Sequence, residues 1–357
     1  MSLMSTPQAD DRSATDSDGW FSRRSRRLVR VPAITYGWRP NSARVRPWLD
    51  DLGSRPGKAG LGLALGLWLL IVVLSARGQA WSAAQEAWCY WIPSILDPYR
   101  QSDWTSPVAY VYSPAFLEVI APLRALGWTA FVGVWTALLL GALVYLTGVR
   151  LLWLGVLVAA SELYGGNISL FLAVAIVLGF RWPATWAIVV LTKVTPGIGL
   201  LWFALRREWR NLGIALAATA FVAGGSALTM PLAWQQWVHV LTANAGRDGT
   251  WAAVPIALWI RLPMAVVLVA WGARTDRRWT VVVASMLALP ALWFGSLSML
   301  LAVITVRRIW EPAASAAGHA ELRDHQGAIP EDPGSATLRP TSFDRRVRPP
   351  QLPSTPT

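Results

Sequence analysis

Apolar residues in this chain fall in long unbroken runs, not in the two-residue alternation of strands or the narrow stripe of a surface helix. The first charge-free run is Ala59–Ala76. Others start at Val108 and cover Thr129–Thr147, Leu151–Ala160, Ile168–Phe180, Trp182–Leu205, Leu212–Met230, Trp251–Gly272 and Thr280–Val306. Helices that are apolar all round belong in lipid. The pattern therefore predicts an all-α polytopic membrane protein of about 9–10 transmembrane helices. Several runs fall short of the roughly 20 residues a full span needs. Short or broken helices are tolerated where protein packs around them. Pro290 divides the last run, and Arg307-Arg308 beyond it favours two short spans over one tilted span.

Taken as alternating sides, the polar breaks put the N-terminal tail inside and the loop 78–107 outside. Arg124 then falls inside, Arg150 outside, the knot Ser161–Asn167 inside and Arg181 outside. The cluster Arg206–Arg210 returns inside, the second loop 231–250 lies outside, and Arg274, Arg277 and Arg278 lie inside. Arginine clusters thus share one side, and the single residues Arg77, Arg100, Arg150, Arg181 and Arg247 share the other, as the positive-inside rule requires. Residues 1–57 form a basic, disordered cytoplasmic tail, 58–308 the transmembrane domain, and 309–357 a Pro-rich disordered cytoplasmic tail.

Composition excludes other classes. The chain is 54% hydrophobic and 15% charged, too little charge to cover a soluble domain of 357 residues. Mean hydropathy is +0.40. The net charge of +12 is concentrated in tails that flank apolar spans, which argues for topology and against nucleic-acid binding. The lone cysteine, Cys89, excludes an internal disulfide and a thiolate metal cage. With no metal-ligand spacing, Walker loop, dinucleotide fingerprint or nucleophile elbow, the chain is expected to need no metal or cofactor.

Candidate chemistry gathers in the stretch Trp81–Leu123, where Glu86, Asp97, Asp103 and, within the following run, Glu118 stand among Trp and Tyr residues. Such aromatic residues collect at the membrane–water interface, where a lipid head group can meet a general base. In a helix Glu86 and Tyr90 share a face at i, i+4, and desolvation among indoles would suit Glu86 to proton abstraction. A solvated loop glutamate is the plainer alternative. Asp97, in Asp97-Pro98-Tyr99, is the second catalytic candidate, although a turn role suits it better. Lys193 lies near the middle of an apolar run and is followed by Thr195-Pro196. It either contacts a phosphate or neutralises Glu118 or Glu162. Glu162 and Asn167 flank a Gly pair suited to a helix junction. Arg261 either binds phosphate or snorkels to the interface. His239, the one histidine outside the C-terminal tail, is an interface residue or a substrate contact.

The order of these features resembles glycosyltransferase family 87 of the GT-C superfamily, the polyprenyl-phosphate-mannose-dependent α-mannosyltransferases. The matching motifs are Glu86, Tyr90-Trp91, Asp97-Pro98-Tyr99, Tyr112-Ser113-Pro114, Gly166-Asn167-Ile168-Ser169, Lys193-Val194-Thr195-Pro196, Arg206–Arg210 and Ala288–Trp293. Glu86 stands where that family usually has Asp. The resemblance covers about residues 60–306 and implies a GT-C-like bundle. It implies transfer of a mannosyl or other hexosyl group from a polyprenyl-phosphate donor to a lipid- or glycan-linked acceptor. Transfer would occur at the extracytoplasmic face of the plasma membrane. It places Glu86 or Asp97 as catalytic, with Tyr90, Tyr99, Tyr112, Asn167, Lys193, His239 and Arg261 as substrate-binding residues. A transporter of lipid-linked saccharide should show inverted repeats, and none is present in the sequence. An inactive scaffold of an envelope-synthesis complex remains the other alternative.

Overall fold

The computed structural model describes residues 50–76, 83–94, 96–100, 109–243 and 256–310. Most of both tails, Asp103, and the loop residues Arg77, Asn244, Arg247 and Asp248 lie outside the described residues. The chain begins with α1 (Arg55–Ser75), α2 (Gln85–Trp91), α3 (Pro114–Arg124) and α4 (Trp128–Thr147). Next come α5 (Leu152–Val158), α6 (Ala160–Gly165), α7 (Ser169–Gly179), α8 (Trp186–Thr192) and α9 (Leu201–Leu205). The last five are α10 (Trp209–Thr229), α11 (Pro231–Ala243), α12 (Leu258–Thr275), α13 (Trp279–Leu287) and α14 (Leu301–Trp310). No strand occurs among the described residues, so the fold is all-α as the runs predict.

Among the described residues four helices, α1, α4, α10 and α12, are long and apolar enough to cross a membrane. At 1.5 Å per residue the 21 residues of α1 span roughly 31 Å, the thickness of a hydrocarbon core. Ser54 caps it by accepting the Gly57 N–H at 3.2 Å. α4 runs antiparallel to α1. The Trp128 indole donates to Ser75 O at 2.8 Å at one end, and Trp68 donates to Gly133 O at 2.9 Å midway. At the far end Arg150 pairs with Asp51.

These contacts change the expected path. α3 has 11 residues, roughly 16 Å, and cannot cross. Arg124 at its end does not reach the opposite side. Its Nε donates to Trp91 O at 3.0 Å, a second nitrogen donates to Pro93 O, and Trp91 Nε1 donates back to Arg124 O at 3.2 Å. Both ends of α3 thus stay on the loop side, and α4 descends from there, opposite to the expected direction. Arg150 and Arg181 consequently join the arginine-rich end. The Arg278 guanidinium lies over Phe180, next to Arg181 in the chain.

The remaining apolar runs fold back as three hairpins of half-length arms. Residues 149–165 rise and α7 returns. Residues 183–192 rise, the chain turns at Lys193, and residues 195–205 return. Trp202 on that returning arm meets Phe180, just before the rising arm, at 5.8 Å between centroids. α13 rises and residues 295–310 return, with Arg278 over the Trp310 ring at 4.3 Å and Arg307 over Trp279 at 5.3 Å. All three hairpins are based at the arginine end and point their tips toward the first loop.

Hairpin tips expose backbone groups that lipid cannot satisfy. Gly166 O at the first tip accepts from Trp135 Nε1 at 2.7 Å. Trp135 stands seven residues into α4, so this tip lies roughly 10 Å below the loop end of that helix. At the third tip Arg261, 3% exposed, donates to Ile256 O (2.7 Å), Leu287 O (2.7 Å), Leu289 O (2.8 Å) and Pro290 O (3.1 Å). The guanidinium expected at a phosphate is a clamp on the carbonyls that end α13. Replacing Arg261 with Met strands those carbonyls. It should cost about 3 kcal/mol or more, read as a fall in melting temperature in detergent, with Arg261→Lys recovering part. An unchanged melting temperature in Arg261→Met would refute the clamp.

Candidate active site

α2 enters from the loop side and carries Glu86 and Tyr90 on one face, as their spacing predicts. Seven residues are too few for a stable isolated helix, so neighbours must hold it. Ala84, its N-cap, adopts the left-handed conformation (φ 65°), and its N–H donates to Tyr164 O at 2.7 Å. Trp88 and Trp91 pack on Trp128 at 4.8 and 5.6 Å between centroids. The Tyr90 ring is buried against Tyr112, Phe116 and Trp135.

The first hairpin tip fits beneath α2 because it is glycine. Gly166 has φ +69°, and a Cβ there would sit 2.8 Å from Ala87 Cβ. At Gly165 a Cβ would meet Glu86 Cγ at 3.7 Å, so the glutamate side chain lies across the tip. Asn167 Oδ1 accepts from Ile168 N–H at 2.6 Å and from Tyr90 OH at 3.3 Å. Tyr90 and Tyr112 hydroxyls meet at 3.2 Å, and Lys193 Nζ stands 5.9 Å from the centre of the Tyr112 ring. Lys193 itself breaks the second hairpin. It is extended (φ −139°, ψ 111°) after α8, and Thr195-Pro196 starts the return.

Lys193 interacts electrostatically with two carboxylates, Glu86 and Glu162. Of the two partners considered for it from the sequence, Glu162 is the one whose charge acts on it. Glu118 instead accepts from Thr229 Oγ1. Glu162 is 1% exposed and accepts the Ser169 N–H at 2.5 Å. Burial raises the Glu86 carboxyl above its ordinary range, and the Lys193 charge opposes that rise. Burial, helped by the Glu86 charge, pushes the Cys89 thiol up to about 12. Cys89 is thereby a buried, inert thiol rather than a nucleophile.

Glu86, Tyr90, Tyr112, Asn167 and Lys193 are thus brought together, with Glu162 added to them. Tyr99 supports them from behind, its hydroxyl donating to Tyr112 O at 2.6 Å. Asp97 is exposed at the rim, where Gln236 approaches it at 3.5 Å. His239, also exposed, lines a shallow depression with Tyr99, Gln236 and Val240. No cluster of three or more His, Cys, Asp or Glu side chains suited to a metal occurs among the described residues.

A half-buried lysine under the electrostatic influence of two carboxylates, in a chain with four membrane-length helices among the described residues, defines a multi-pass membrane protein with a polar site. The model of glycosyltransferase family 87 matches residues 110–321, more than half of the chain. The chain belongs to glycosyltransferase family 87, and membership makes it a membrane glycosyltransferase. Neither a curated protein nor a solved structure matches it. The matched span contains Tyr112, Glu162, Asn167, Lys193, His239 and Arg261, whereas Glu86 and Asp97 precede it.

Gly166→Ala should strain the backbone and push Ala87 away, costing about 1–3 kcal/mol. The displaced α2 should uncover Cys89. Maleimide labelling of this single cysteine, slow in the unaltered protein, is expected to become fast. Equally slow labelling in both proteins would mean that the tip does not seat α2.

Proposed function

We propose that the protein transfers a mannosyl or other hexosyl group from a polyprenyl-phosphate donor to a hydroxyl of a lipid- or polysaccharide-linked acceptor. The observation that carries this reading is that one polar region holds both Glu86, which lies across the first hairpin tip at Gly165, and Lys193, which stands beside the Tyr112 ring whose hydroxyl meets Tyr90. Glu86 is the general base, taking the acceptor proton as that oxygen attacks the anomeric carbon. Lys193 holds the donor phosphate, which departs as a stable anion and needs no separate acid. The Tyr90–Tyr112–Asn167 network orients the sugar. An apolar slot lined by Ala115, Phe116, Val119, Ile188, Leu191 and Thr192 supports a lipid donor. Phe116 on its wall contacts Tyr112 at 5.3 Å, beside Lys193.

Arginine residues favour the cytoplasmic side. The end bearing Arg150, Arg181, Arg206 and Arg278 therefore faces the cytoplasm of a plasma-membrane protein, and the site opens extracytoplasmically. Asp97, Tyr99 and His239 at the rim lie where an acceptor would approach. No repeat supports a transporter, and the gathering of Glu86, Glu162 and Lys193 in one polar region argues against a mere scaffold.

Transfer from radiolabelled polyprenyl-phosphate-mannose by membranes tests the assignment. Glu86→Gln keeps shape but cannot take the proton, and should lower the rate by about 10²–10⁴-fold. Glu86→Asp should keep part of it, and Asp97→Asn most. A base works ionised, and burial raises Glu86. The rate should therefore climb with pH through a value above the usual carboxylate range. Near-normal turnover in Glu86→Gln with a dead Asp97→Asn would move the base to Asp97. Full activity in both would remove the loop from the chemistry.

A further inference from the structure

Glu162 does more than the capping that its one hydrogen bond suggests. An ionisable side chain 1% exposed at membrane depth is costly unless its charge is used. Its two oxygens are unequal. Oε1 takes the Ser169 N–H at the start of α7, whose own N-cap, Ile168, has no capping side chain. Oε2 is buried with no hydrogen-bond partner among the described residues. The third hairpin leaves room for that oxygen, since a Cβ at Gly295 would stand 2.9 Å from it. A cap alone needs one oxygen and no net charge.

We propose that Glu162 is the positioning carboxylate of the site. Seated against the first and third hairpin tips, it offers its charge to the Lys193 ammonium of the second and so keeps that ammonium where a phosphate can reach it, leaving the Glu86 carboxylate for proton transfer. The charged and titratable groups around it are Glu86 and Tyr90 from α2, Tyr112 before α3, and Lys193 from the second hairpin. The third tip, residues 288–300, has no ionisable side chain. Two carboxylates therefore share one lysine. If Glu162 loses its charge, Lys193 has only Glu86 to pair with. That pairing draws the ammonium from the phosphate and holds Glu86 ionised as a weaker base.

The inference rests on the glycosyl-transfer reading, but a binding measurement separates the two. Glu162→Gln retains a carbonyl oxygen for the Ser169 N–H and removes only the charge. Gly295→Ala retains the charge and crowds Oε2. Each variant, reconstituted in nanodiscs, is assayed for melting temperature, affinity for tritiated polyprenyl phosphate without sugar, and the pH dependence of transfer. Glu162→Gln should melt near the unaltered protein yet bind polyprenyl phosphate about tenfold more weakly. Removing a negative neighbour lowers the pKa of the base, so the acid limb of its rate profile should move down by about one pH unit. Gly295→Ala should weaken binding without moving that limb as far. Unchanged affinity and an unmoved limb in a folded Glu162→Gln would overturn the proposal and leave Glu162 a cap. If Glu162→Gln fails to fold, unchanged affinity in Gly295→Ala overturns it. Binding without transfer in the unaltered protein would sink the transfer reading while the affinities still decide Glu162. Absence of binding there would overturn both.

Discussion

A backbone amide or carbonyl left without a partner at membrane depth costs several kcal/mol, and three hairpins of half-length arms expose such groups at every tip. The protein satisfies them with side chains from the full-length helices and the loop. Trp135 of α4 serves Gly166 O, and Arg261 of α12 serves the carbonyls around Pro290. Ala84 before α2 serves Tyr164 O from the loop side. Because these partners are fixed in depth by α4 and α12, the tips are fixed too. A site built on tips can then be as rigid as one built on whole helices.

The same constraint concentrates charge. A lysine or glutamate within lipid is expensive alone, whereas several brought to one point offset one another. Glu86 comes from the loop, Glu162 from the first tip and Lys193 from the second. The two carboxylates stand in different settings, Glu162 bound to the Ser169 N–H and Glu86 lying across Gly165. Under the proposed function, two carboxylates set apart in this way would divide the work of the site. The Tyr90–Tyr112–Asn167 network closes the polar region so that the aromatic layer above it stays apolar.

Much of this was legible in the sequence. The i, i+4 pair Glu86 and Tyr90, the break at Lys193–Pro196 and the junction at Gly165-Gly166-Asn167 were each readable from local rules. The path between them was not. Hydropathy marks a run of 10 to 14 apolar residues without telling whether it crosses or turns back, so α3 and the hairpin arms were assigned alternating sides. Arg124 and Arg150 exchanged ends as a result. Arg261 could be read as a phosphate ligand because its actual partners, main-chain carbonyls up to 29 residues away, leave no side-chain pattern. Glu162 was visible only as one of two partners for Lys193. Its second oxygen and the room made at Gly295 depend on the third hairpin, far along the chain.

Glu86 precedes the span that defines the family, yet its position is set almost wholly by residues within or next to that span. α2 has no independent stability at seven residues. Its start hangs on Tyr164 O, its middle rests on Gly166, and its end is tied to Arg124 by reciprocal hydrogen bonds. Ala84 adopts a left-handed conformation that disfavours any residue but glycine, at about 1–2 kcal/mol. That strain persists because the contacts on both sides of it over-determine the turn. It lays the glutamate across Gly165. The proposed base is thus placed by the membrane domain, not by the loop that carries it.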